Sequence, residues 1–280
     1  MEARARELSI RRRATAYATV APADSFFCGV TAAVLWELPL PLRVLRRSGR
    51  ANASEDRPID VAVHTPQRAA RAAGVRGREL APELVSLRTV GGLRVMSPAT
   101  TWAYLAADLT VDELVIVGDA IVRIPREHGM LRGTPTDALG TIGQLESAMD
   151  AGRRRGIAKL REALPQIRVG SASPPETLIR LACVRAGLPE PVLDIDVFDA
   201  HGRGVGFTEL GYPEHRILIE YEGDHHRLDR EQWDRDIAKH AACVALGWTV
   251  IRLTARHVYP TTDAAVSRIR DALVRAGWGA

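Results

Sequence analysis

Apolar and polar positions follow two periods along the chain, and the switches between them mark out the elements. Residues 1–20 form an Arg-rich stretch that predicts a short helix. Thr31 to Leu38 predicts a helix closed by Leu38-Pro39-Leu40-Pro41, because proline disfavours helix for the residue before it. Ile59-Asp60-Val61-Ala62-Val63 alternates and predicts a strand, as does Leu93-Arg94-Val95-Met96. Ser97 with Pro98 opens the next helix as N-cap and first position. Leu109 to Arg123 is apolar at helical spacing, Arg126 to Thr141 has loop composition, and a basic helix is expected from Ile142 to Leu164. Pro165 to Ala172 is the expected joint between two domains, 1–165 and 173–280.

Beyond the joint the order reads α-β-β-β-α-β-α. Ser173-Pro174-Pro175-Glu176 has the form of a capping box and starts a helix that runs to Ala186. Strands follow at Val192–Phe198, Val205–Tyr212 and His215–Glu222, the first two joined at His201-Gly202-Arg203-Gly204. A helix over Arg230–Leu246, a strand at Thr249–Leu253 and a helix over Thr262–Ala276 complete the unit. The expected fold class is α/β: an α+β first domain, then a domain built on a mixed central sheet.

Pairing parity places the acids of this sheet. A two-residue turn at Pro213-Glu214 would pair Tyr212 with His215 and set Glu209 opposite Leu218. Side chains alternate faces, so Glu209, Leu218, Glu220 and Glu222 then share one face, while Leu210, Ile217, Ile219 and Tyr221 share the other. Ile217-Leu218-Ile219 is apolar on both faces and predicts a central strand. Acids so close together call for a compensating cation, proton or Arg. Mg²⁺ suits such a pair and could assist phosphodiester cleavage, with His225 and His226 at hand for proton transfer or phosphate contact.

Composition narrows the partners. Lys occurs twice against 36 Arg, a coding bias that discounts Arg clusters as a signal in themselves. Residues 1–172 carry 25 basic and 18 acidic side chains, and residues 173–280 carry 13 and 16. The basic first part favours a polyanionic partner. Cys28, Cys183 and Cys243 stand far apart without a C-x-x-C, so neither a zinc ribbon nor a disulfide framework is expected. A charged N-terminus and the lack of a long uncharged run predict a cytoplasmic chain with no membrane span.

The stretch from Ser173 to Val258 resembles the PD-(D/E)XK (restriction-endonuclease-like) nuclease superfamily, nearest to bacterial proteins related to very-short-patch mismatch-repair endonucleases. SPPETLIRLACVRAGLPEPV, VGFTELGYPEHRILIEYEGDHH, Asp236 and GWTVIRLT carry the likeness. The resemblance implies a metal-dependent DNA endonuclease or nickase using Mg²⁺ or Mn²⁺. It maps the sheet acids onto Glu209 and Glu220, the helix acid onto Glu176 and the His pair onto His225 and His226. Glu209, Glu220 and Glu222 would hold the metal. The family's first sheet acid is usually Asp, and Glu222 stands where the superfamily has Lys, which leaves the base unassigned. Lys239 is expected to be solvated, since Trp233, Ile237, Ala241 and Val244 read as the buried stripe of its helix.

The first domain is similar to antitoxin proteins of AbiE-type (type IV) abortive-infection systems, through TAAVLWELPLP, IDVAVHTP, GLRVMSPATTWAYLAADL and VGDAIVR. That likeness implies a toxin or defence-system partner. It also sets up an alternative function: a non-enzymatic, nucleic-acid-binding regulator with a decayed nuclease domain. Trp36 and Trp102 are expected in the core.

Overall fold

The computed structural model describes residues 2–46, 57–127, 131–132, 134, 137–223 and 230–279. It belongs to the α+β class, with helices and mixed sheets. The chain divides into two compact units, the first of residues 1–122 and 139–167, the second of residues 123–138 and 168–280. The boundary at 167/168 falls inside the expected joint. Residues 123–138 group with the second unit, although they lie within the stretch expected to be wholly first domain.

The first unit runs α1 (Glu2–Ala18), β1 (Phe26–Phe27), α2 (Gly29–Leu35), α3 (Leu42–Leu45), β2 (Ile59–His64), β3 (Val75–Leu80), β4 (Leu87–Val90), β5 (Leu93–Met96), α4 (Pro98–Leu105) and α5 (Val111–Val122). It resumes after the excursion with α6 (Ile142–Asp150) and α7 (Ile157–Ala163). Its sheet has the order β3-β2-β1-β5-β4. β2 is buried from Ile59 to Val63, as an interior strand must be. Ser97 caps α4 by accepting from the Thr100 amide, and the indoles of Trp36 and Trp102 donate to Met96 O and Leu114 O. The single basic helix expected over 142–164 is two helices instead. Gly152 and Gly156 break it at φ 154° and 78°, and a Cβ at Gly156 would sit 2.5 Å from Ala106 O.

Arg126 to Thr141, expected as loop, includes the short antiparallel strands β6 (Arg126–Glu127) and β7 (Leu131–Arg132). The rest of the second unit is α8 (Pro174–Arg185), β8 (Val192–Phe198), β9 (Gly204–Tyr212), β10 (Ile217–Glu222), α9 (Arg230–Ala245), β11 (Thr249–Thr254), α10 (Ala255–Val258) and α11 (Asp263–Arg275). This is the order read from the sequence, with one extra turn at α10. The sheet is β11-β10-β9-β8, mixed because β10 pairs parallel with β11 and antiparallel with β9.

β10 lies between two neighbours and buries both faces. Ile217 and Ile219 join Leu210, Tyr212, Ile251 and Leu253 in one core with residues of α8 and α11. Leu218 packs on the other side with Val197 and Cys243 of α9. The turn before β10 is longer than expected: Tyr212 pairs with Ile217, Pro213–His215 form a 3-10 turn, and Arg216 takes the left-handed region at φ 51°. The register slips by two residues, which leaves every side chain on its expected face because strand parity has period two. The three cysteines are free and buried. Among the described residues no helix is long and apolar enough to cross a membrane.

Candidate active site

Three of the expected acids gather where β9 and β10 reach the start of α8. Glu176 sits in the first turn of α8, with two prolines ahead of it at positions that need no amide donor. The expected capping box is only half there. Ser173 makes no side-chain cap; its hydroxyl donates to Glu176 Oε1 at 2.6 Å, and the Ala172 amide donates to Oε2 at 2.7 Å. The carboxylate is buried, and desolvation raises its pKa in spite of these donors and of the nearby Arg123 charge.

Glu209 lies on β9. The β9–β10 ladder ends with Leu210 opposite Ile219, so one further step in the same register would set Glu209 opposite Glu220. At this end the Thr208 hydroxyl donates to Ile219 O at 3.1 Å. The Glu209 residue is only half-buried, yet its Oε2 is sealed from solvent and has no hydrogen-bond partner among the described residues. Burial first, then the charges of Glu176 and Glu220, push its pKa up to about 7, against the pull of its own amide and Lys239. A carboxylate held this way near neutrality is poised to exchange its proton for a cation.

Glu220 is ion-paired with Lys239, whose Nζ stands 2.6 Å from Oε1 and also donates to Phe207 O at 2.8 Å. This overturns the expectation of a solvated Lys239. Ile237 and Val244, expected in the buried stripe, are 53% and 51% exposed, whereas Lys239, Cys243 and Leu246 face the sheet. Ranking by hydrophobicity chose the wrong face, because a lysine stem can pack like an apolar chain once its ammonium is satisfied. Room for that stem comes from Gly206, where a Cβ would lie 2.7 Å from Lys239 Cδ. The sequence held two signals for this residue: one of only two lysines stands four positions before Cys243, and a glycine interrupts the facing strand.

Glu222 does not join the cluster as expected. It is ion-paired with Arg252 Nε of β11. His225 and His226 lie outside the described residues, as does the side chain of Asp236. Among the described residues no three His, Cys, Asp or Glu side chains form a ready-made metal cage. Mg²⁺ does not need one, since it binds through one or two carboxylates plus waters and substrate phosphate oxygens. The orphaned Glu209 Oε2 and the Glu220 carboxylate are hard oxygen donors of the required kind, so the residues present fit such an ion.

No family model matches the chain, and no solved structure matches it either. Two curated relatives are similar to it: uncharacterised proteins MT2308 and Rv2248 of Mycobacterium tuberculosis, from strains CDC 1551 / Oshkosh and ATCC 25618 / H37Rv. Each is 27% identical over 191 residues, which cover 68% of this chain and 65% of the relative. The chain therefore spans just under two thirds of the length of the relatives it matches.

Proposed function

We propose that the second unit is a metal-dependent phosphodiester hydrolase of the PD-(D/E)XK kind, a DNA endonuclease or nickase. The observation that carries this reading is the gathering of Glu176 and Glu220 about Glu209 at the end of the β9–β10 ladder, with Lys239 ion-paired to Glu220. The α-β-β-β-α-β order and the mixed sheet support it. Glu209 and Glu220 would hold a divalent cation, which supplies positive charge against the charge that develops on the phosphate oxygens.

The protein's own groups do the rest. Ser173 and Ala172 fix Glu176, whose charge in turn favours a cation at Glu209 over a bare carboxylate. Phe207 O and Glu220 hold the Lys239 ammonium at the rim, where it can orient an attacking water and neutralise phosphate charge. Glu222 acts through Arg252 rather than as a third ligand.

Nicking of supercoiled plasmid with Mg²⁺ or Mn²⁺ tests the reading. Wild type is expected to nick, with Glu220→Gln and Lys239→Ala each slower by about a hundredfold or more. A wild type that binds DNA and never nicks would point to the non-enzymatic regulator instead.

A further inference from the structure

The acidic cluster raises a difficulty for any polyanionic substrate. Glu209 and Glu220 share one Lys239 and Glu176 adds its charge at Glu209, so the metal-free site does not attract phosphate through these groups. A further cation is needed, and one comes from outside the continuous second domain. Arg123 and Arg126 begin the excursion that leaves the first unit after α5 and groups with the second.

Arg126 is an anchor. Its side chain is 7% exposed, its Nε pairs with Asp194 Oδ1 and its Nη1 donates to Asp196 Oδ1 at 2.8 Å. Its guanidinium also lies 4.3 Å from the centroid of the Phe207 ring, and Lys239 Nζ lies 5.8 Å from that centroid. Asp194 takes the left-handed region at φ 56°, a cost for a non-glycine residue that two Arg126 contacts offset. The excursion is thus fastened to the residue whose carbonyl positions Lys239.

Arg123 stands three residues earlier, within about 10 Å of chain from that anchor. It is half-buried, its charge is felt at Glu176, and among the described residues it has no hydrogen bond or ion pair. A guanidinium left open beside paired acids matches a phosphate in geometry as well as charge.

We propose that the Arg123–Arg126 segment is the backbone clamp of this site, with Arg126 as its anchor and Arg123 as the contact to a nucleic-acid phosphate. This rests on the proposed function for the reaction but not for the binding. The test measures full-length protein against a labelled DNA duplex over a salt series, without divalent metal, and then measures nicking. Arg123→Gln is expected to weaken binding about five- to tenfold and to lower the salt slope by about one, with Arg123→Lys keeping the slope. Arg203→Gln, in the exposed β8–β9 turn and paired with Asp199, is expected to change neither. In nicking, Arg123→Gln is expected to raise KM with kcat little changed.

Unchanged affinity and slope in Arg123→Gln overturn the clamp, even if wild type nicks normally. A shift of the nicking pH profile without loss of binding also overturns it, since Arg123 would then act only on Glu176. Loss of binding in Arg123→Gln with no nicking by wild type leaves the clamp standing and removes the nuclease reading. A wild type that binds no duplex overturns the clamp.

Discussion

Asp60, on β2 of the first unit, and Glu209, on β9 of the second, are both acids set into a sheet between two neighbouring strands. Asp60 is 1% exposed and takes Arg57 and Arg76 on its two oxygens, while its amide donates to Thr31 Oγ1. Glu209 has acids for neighbours, a lysine already committed to Glu220, and an oxygen with no donor among the described residues. Burial alone therefore says little about function. What separates the two is whether the fold completes the acid's charge partners or leaves one to be supplied. The first arrangement holds strands together, and the second has room for the cation that the proposed function calls for.

The comparison is most exposed to substitution at Asp60. Asp60→Ala leaves the buried Arg57 guanidinium without its carboxylate, and a loss of about 3–5 kcal/mol is expected in denaturant unfolding of the first unit. A loss below about 1 kcal/mol would mean that Asp60 is no more structural than Glu209.

Glu209→Gln should act in the opposite direction. With a pKa of about 7 in the folded protein against an ordinary value of 4.5, the folded state holds this proton more tightly than the unfolded chain does. The resulting stability is fully present below pH 4.5 and is lost as pH rises through about 7. At pH 8 the metal-free Glu209→Gln variant should be more stable than wild type by about 1–3 kcal/mol, and its stability should vary less between pH 5 and pH 8. Equal slopes in the two proteins would remove Glu209 as an under-compensated acid.

Divalent ions should raise the melting temperature of wild type by a few degrees, because they bind the folded site and not the unfolded chain. Glu209→Gln and Glu220→Gln should each abolish most of the shift, while Glu214→Gln, in the turn before β10, should keep it. A shift that survives both site substitutions would place the ion elsewhere. The smallest expected effect is at Gly206. Gly206→Ala should cost under about 1 kcal/mol, because the clash is with a flexible stem. It should nevertheless pull Lys239 off Glu220 and slow nicking about tenfold or more, and a variant as active as wild type would show that the Lys239 position is not critical.

Much of the second unit was legible because it depends on local rules. Alternation along Val192–Phe198, the continuous apolar run Ile217-Leu218-Ile219, prolines at the start of α8 and the glycine at its end identify strands and helices without reference to partners. Parity is equally local: the β9–β10 turn is two residues longer than expected, yet Glu220 stays on the face opposite Ile219 because the period of a strand is two. The sequence by itself therefore determined the element order, the central place of β10 and the shared face of Glu209 and Glu220. Only the tertiary structure decided which cations meet them. Lys239 faces the sheet because Gly206 on another strand leaves space for it, Glu222 is taken by Arg252 across a parallel pair, and Arg126 reaches Asp194 from 68 residues away. Such pairings depend on distance in space, and period along the chain carries no information about it.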